Sequence, residues 1–144
     1  MLRGISPLIS PELLMLLADM GHGESLLLSD ANFPAGKYCR KVLHAPNTDI
    51  QQLLAAIMPL WVLDYKRPPL IMPESTITPG NLDLAEKYLG IVHQTLQDVP
   101  PPEFLKGDAF YREAMETRVC VVTGDLRRFA NLIIRKGVFT AESL

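Results

Sequence analysis

The chain has 144 residues, of which 48% are hydrophobic and 21% charged, with fourteen basic against sixteen acidic side chains and a net charge of −2. Such a composition excludes a disordered chain, and the length suits one domain over 1–144 with a true hydrophobic core and no room for a second. The near-neutral balance offers no field to gather phosphate backbones or anionic lipid, so neither nucleic acid nor a membrane surface is an expected partner.

The first element is a helix: Ser10 can cap it, Pro11 suits its first turn, and Leu13, Leu14, Leu17 and Met20 form one apolar stripe before Gly21. After Gly21-His22-Gly23, the run Ser25-Leu26-Leu27-Leu28-Ser29 reads as a strand buried on both faces, closed by Asp30. Residues 30–37 read as a surface loop with Phe33 on its rim. A short strand near Val42-Leu43-His44 leads to a second helix, capped by Thr48 and carrying Ile50, Leu53, Leu54 and Ile57 at helical spacing.

Leu70-Ile71-Met72 reads as another short strand, followed by a linker over 73–80 and a third helix from about Leu82 to Gln97, which Pro100-Pro101-Pro102 forbids from continuing. Glu103 to Lys106 is a candidate strand, and Asp108 a candidate cap for a helix through Phe110, Tyr111 and Met115. Arg118 to Thr123 and Leu132 to Arg135 complete the set as strands. Short buried strands alternating with helices imply an α/β fold, a single-domain three-layer α/β/α arrangement with a mainly parallel sheet.

The start of the chain lacks the long apolar run of a secretion signal, and no stretch approaches the roughly 20 apolar residues of a membrane span, so the expected location is cytoplasmic. Cys39 and Cys120 are far apart, and Cys120 lies in an apolar run suited to core packing, which argues against a disulfide framework. The three histidines, His22, His44 and His93, are scattered without a ligand partner at metal spacing, so no metal is expected. No dinucleotide fingerprint, phosphate-binding loop or nucleophile elbow is present.

Two residues stand out. His22 sits between two glycines, after a helix and before a buried strand, which leaves an imidazole uncovered and suits a general acid/base, or else a histidine that caps helix carbonyls; spacing alone favours the cap. Asp30 ends a buried strand, where open α/β sheets place ligand-binding groups, or it nucleates the following turn. With 25–29 extended, His22 and Asp30 stand up to about 25 Å apart at roughly 3.3 Å per residue. Both can meet one ligand if the flanking loops curl together or if each of two neighbouring chains supplies one end, and the composite pocket is the expected arrangement.

Taken together, Ser6-Pro7-Leu8-Ile9-Ser10-Pro11-Glu12-Leu13-Leu14, Met20-Gly21-His22-Gly23 and Asp30-Ala31-Asn32-Phe33-Pro34-Ala35 resemble the start of the L-fucose mutarotase and D-ribose pyranase family. Phe110-Tyr111-Arg112-Glu113-Ala114, Val121-Val122-Thr123-Gly124-Asp125 and residues 131–138 resemble its C-terminal half, with a lean to the fucose branch.

The resemblance implies a ring-forming oligomer pairing as a homodecamer, with a monosaccharide held at subunit contacts and no cofactor. It implies proton transfer by His22, sugar binding by Asp30, and further contacts from a Tyr-Gly-Asn motif that here reads Phe129-Ala130-Asn131. Asn131 is kept, but Phe129 lacks the phenolic hydroxyl. Gly107 stands where a basic or imidazole group belongs, with Lys106 beside it as the substitute contact.

The implied activity is that of an isomerase: one group removes the anomeric hydroxyl proton, another protonates the ring oxygen, and the opened sugar recloses on either face. The expected substrate is L-fucose or a related aldose. The alternatives are a ribose pyranase, a catalytically weak sugar-binding or sensing protein, and a structural oligomer in which His22 and Asp30 only stabilise loops.

Overall fold

The computed structural model describes all of residues 1–144. Its helices are α1 (Pro11–Asp19), α2 (Ala35–Tyr38), α3 (Ile50–Ile57), α4 (Leu84–His93) and α5 (Gly107–Glu116). Its strands are β1 (Ser25–Ser29), β2 (Val42–Ala45), β3 (Leu70–Pro73), β4 (Glu103–Leu105), β5 (Val119–Thr123) and β6 (Leu132–Arg135).

The strands form one sheet in the order β2-β5-β1-β6-β3-β4. β1 and β2 both run parallel to β5, and β3 runs parallel to β4. β6 lies antiparallel to both of its neighbours, β1 and β3, so it alone is reversed in a mainly parallel sheet. That reversal fixes the site: Leu28 at the end of β1 pairs with Leu132 at the start of β6, which sets the segments after β1 and before β6 side by side.

Alternation along the strands divides the core between the two faces. Leu26, Leu28, Val119, Val121, Leu132 and Ile134 point toward α1, α3 and α4, which contribute Leu13, Leu17, Leu53, Leu54, Leu84 and Tyr88 to the same cluster. Leu27, Cys120, Val122 and Ile133 point the other way, toward Phe33, Ala35, Phe110 and Ala114 of the α2 and α5 side. The three layers are therefore present but unequal, and the second face is covered by little more than one full helix. Leu26, Leu27 and Leu28 are all fully buried, each contributing about 1.5–3 kcal/mol through removal from water.

Several boundaries move from the sequence reading. Asp49, not Thr48, caps α3: its side chain accepts from Gln52 N at 2.7 Å while Gln52 Oε1 accepts from Asp49 N at 3.0 Å, a reciprocal capping box that Thr48 supports by donating to Gln52 Oε1. At α5 the N-cap is Lys106, without a side-chain cap bond, and Asp108 lies in the first turn, where its charge complements the helix dipole. The segment 30–37, expected as irregular, contains the single turn of α2, closed by Cys39 N donating to Ala35 O at 2.8 Å. α4 is shorter at both ends than its apolar pattern. No helix is long and apolar enough to cross a membrane.

Candidate functional site

Asp30 follows the last residue of β1 and is only 4% exposed. Its carboxylate is held by two main-chain donors: Asn32 N donates to Oδ1 at 2.8 Å, and Phe129 N donates to Oδ2 at 3.1 Å. Its own N–H donates to Asn131 Oδ1 at 2.8 Å. Burial is the largest influence on this carboxyl and pushes its pKa above the ordinary value, against the amides of Asn32, Phe129 and Phe33 and with the help of nearby Asp125. A carboxyl so placed is a fixed hydrogen-bond acceptor that can also take up a proton.

The chain between β5 and β6 brings the other groups here. Asp125 is buried and gripped by Arg127, whose Nε donates to Oδ1 at 2.9 Å and whose Nη2 donates to Oδ2 at 2.6 Å. The Asp125 carbonyl accepts Ala31 N at 2.8 Å, joining this connection to the loop after Asp30. Phe129 then adopts a left-handed backbone with φ 60°, a conformation that disfavours a non-glycine residue by about 1–2 kcal/mol. Three contacts hold it there: its N–H on Asp30, its carbonyl accepting from Thr76 Oγ1, and the neighbouring Arg128 carbonyl accepting from Asn81 Nδ2 at 2.7 Å.

Asp30, Asn32, Phe33, Arg128, Phe129 and Asn131 line one open cleft of about 190 Å³, together with Pro34 and Tyr111. One wall is aromatic: Tyr38 stacks on Tyr111 with ring centroids 4.4 Å apart, and Phe33 lies 5.9 Å from Tyr111. A cleft with a fixed carboxylate, two amide side chains, a guanidinium and an aromatic wall suits a small polyhydroxylated molecule, because hydroxyls pair with the polar groups and a C–H face rests on the rings.

Of the residues expected at a site, the structure brings Asp30, Phe129 and Asn131 together in this cleft. Phe33 lines the cleft as well but is buried rather than a free rim residue. Tyr111 and Arg128, to which the sequence reading gives no site role, are also cleft-lining groups. Lys106, exposed at the head of α5, is outside the cleft wall.

His22 is elsewhere. It sits before the start of β1, separated from Asp30 by the whole strand, whose five residues span about 17 Å. A turn presents it: Glu24 N donates to Gly21 O at 3.2 Å, Gly21 N donates to Glu24 Oε2 at 2.7 Å, and Gly23 takes φ +85°, a conformation open to glycine. The imidazole is 45% exposed, with Nε2 3.5 Å from Oδ2 of Asp64, a carboxylate only 1% exposed. Asp64 is a group the sequence reading missed, since nothing in its local pattern connects it to His22. Burial opposes ionisation of Asp64, but the Lys66 amide, His22 and Arg67 together hold its pKa below the ordinary value.

The two halves of the expected machinery therefore occupy opposite ends of the sheet. In a single chain the two ends do not share a cleft.

The model of the RbsD / FucU transport protein family matches residues 3–139. A protein of Histophilus somni (strain 2336) named L-fucose mutarotase is 42% identical over 141 residues, covering 96% of this chain and 97% of that protein. One of the same name from Glaesserella parasuis serovar 5 is 43% identical over 141 residues, covering 96% of each chain. Among solved structures, the fucose mutarotase of Streptococcus pneumoniae in complex with L-fucose superposes with a TM-score of 0.87 at 28% identity, covering 96% of this chain and all of that one.

Proposed function

The chain belongs to the RbsD / FucU transport protein family, and from that premise we propose that it is a sugar mutarotase interconverting the anomers of L-fucose. The observation that carries this reading is the Asp30 cleft, where a buried carboxylate, Asn131 and an aromatic wall converge at the end of β1.

Mutarotation needs one proton removed from the anomeric hydroxyl and one delivered to the ring oxygen, after which the open chain recloses on either face. It needs neither redox chemistry nor a covalent intermediate. We assign sugar binding to Asp30, Asn131 and the Phe129 backbone, and proton transfer to His22.

Because β1 keeps His22 and Asp30 apart, the reading requires a second chain: His22 of one subunit reaches the Asp30 cleft of another. A ring-forming homodecamer with sites at subunit contacts meets that requirement, and a cytoplasmic location suits an enzyme acting on free monosaccharide. Lys106 takes no part in the cleft of a single chain and acquires a role only where a second chain brings it to the sugar.

Saturation-transfer NMR of L-fucose tests the function directly. Faster exchange between the α and β anomers with the protein than without it is the expected result, and an unchanged rate refutes it. One observation favours a second reading: Phe129 presents no hydroxyl to the cleft, which supports a sugar-binding protein of weak catalytic power if that hydroxyl is indispensable.

A further inference from the structure

Asp64 is a buried carboxylate fixed from three directions. Its backbone N–H donates to Arg135 O at 3.0 Å, its neighbour Leu63 bridges to Lys136, and its Oδ1 accepts Lys66 N at 2.9 Å. What remains is Oδ2, and it faces His22 Nε2 at 3.5 Å. The other cation near it, Arg67, has Nε at 3.8 Å and is 58% exposed, while its Nη2 donates to Gly23 O at 3.2 Å.

The remaining charged groups around His22 are committed elsewhere. Glu24 accepts from Gly21 N and Arg118, Asp19 accepts from Arg118, and Lys136 points its ammonium into the end of α1, donating to the Leu17 and Met20 carbonyls. Asp64 is therefore the one side-chain acceptor held in fixed register against the imidazole.

We propose that Asp64 is the positioning residue for His22: it keeps Nε2 turned toward the protein, so that Nδ1 is the nitrogen that exchanges protons with the sugar. A fixed acceptor at one ring nitrogen of a neutral histidine selects the tautomer protonated there and leaves the other nitrogen as the base. In the forward step Nδ1 takes the anomeric hydroxyl proton while water protonates the ring oxygen as its bond to the anomeric carbon breaks, and the imidazole becomes an imidazolium whose second N–H points at the Asp64 carboxylate and is stabilised by it. On reclosure the hydroxyl that attacks the carbonyl gives its proton back to water, and the carbonyl oxygen takes the proton from Nδ1, which restores the neutral imidazole. The catalytic part of this inference rests on the mutarotase reading, whereas the tautomer does not.

The test is 15N NMR of the full-length protein labelled at histidine, in which protonated and bare ring nitrogens are resolved by chemical shift. His22 is assigned by the signals lost in His22→Gln, and His93, whose Nε2 lies 2.8 Å from the Val99 carbonyl, serves as an internal reference for an Nε2-protonated ring. In the unaltered protein without sugar, neutral His22 is expected to carry its proton on Nε2, and a ring protonated on Nδ1 overturns the proposal.

Asp64→Asn is expected to mix the tautomers and to slow anomer exchange on the order of ten- to a hundredfold. Asp64→Glu, which keeps the carboxylate, is expected to recover the Nε2-protonated form and part of the rate. A tautomer unchanged in Asp64→Leu, which keeps no acceptor, overturns the proposal, and the spectrum of the unaltered protein decides even where a variant does not fold. Absence of L-fucose exchange in the unaltered protein would count against the mutarotase reading alone, because the tautomer is read without sugar.

Discussion

Asn131 Oδ1 accepts the backbone N–H of Asp30 at 2.8 Å, a bond between residues 101 positions apart that ties the end of β1 to the start of β6. Both residues are buried, so water cannot replace either partner. The cleft thus depends on a bond made by a side chain that also lines it. Asn131→Ala leaves the Asp30 N–H buried and unpaired, which costs about 1–3 kcal/mol and lowers the melting temperature by roughly 2–4 °C per kcal/mol for a chain of this size. Thermal unfolding followed by circular dichroism measures the loss, and exchange of L-fucose anomers is expected to fall with it. A variant as stable as the parent would show that the bond contributes nothing net.

Asp125 gives the pH dependence its sign. Although burial works against its charge, Arg127 and the amides of Arg127 and Ile50 hold its pKa below the ordinary aspartate value. A carboxyl lowered in the folded state binds its proton more readily when unfolded, so it adds stability above the unfolded value, about pH 3.9, and that stability is lost as pH falls through the depressed folded value. Asp125→Asn is expected to lose about 1–3 kcal/mol at pH 7 by leaving Arg127 without its anion, and to lose less on further acidification than the parent does. Urea denaturation at pH 7 and pH 3 compares the two, and parallel losses in both proteins would remove Asp125 from the account.

Phe129 is the position where the cleft lacks a hydroxyl. It is 38% exposed, with its backbone already fixed by Asp30 and Thr76, so Phe129→Tyr adds a phenolic oxygen without changing how the loop is held. One extra hydrogen bond is worth about 0.5–1.5 kcal/mol, which converts to a roughly two- to tenfold faster exchange if the bond forms in the transition state. Saturation-transfer NMR on L-fucose reads that gain. Equal rates would show that another group already supplies the contact.

How far the sequence reveals these relations depends on the range of the interaction. The fully buried run Leu26-Leu27-Leu28, the Ser10 cap of α1 and the apolar stripe of α3 follow from local pattern, and they announce the layered α/β fold. Asp30 and Asn131 are legible because strand ends and a family motif mark them. Asp64 is not legible, because its meeting with His22 depends on the Leu63–Lys136 bridge, which no local signal encodes. Arg135 and Lys136 are both buried, although nothing in their local pattern separates them from ordinary surface charges. Lys136 donates to the Leu17 and Met20 carbonyls and so supplies, from a distant strand end, the cation that the last turn of α1 lacks. Tyr111 escapes for a similar reason: a tyrosine on an amphipathic helix is as readily core as cleft wall, and only its stack on Tyr38 assigns it.

The separation of His22 from Asp30 by β1 carries the most specific prediction. His22→Ala removes a half-exposed side chain whose loss changes stability little, within about 0.5 kcal/mol, while exchange of L-fucose anomers is expected to fall by roughly a hundredfold to ten-thousandfold as acid–base assistance is lost. Asp30→Ala is expected to be equally inactive because it removes the fixed acceptor of the cleft. If each site draws His22 from one chain and Asp30 from its neighbour, a mixed assembly of the two inactive variants contains sites in which an intact His22 meets an intact Asp30. Equimolar random mixing by co-expression then restores about a quarter of the parental rate, since half of the chains carry each intact residue and the site needs both. Sites confined to single chains give no recovery at any mixing ratio, because every chain in the mixture lacks one of the two groups. Activity measured against the fraction of one variant, expected to peak at equal proportions and vanish at either extreme, separates the two arrangements.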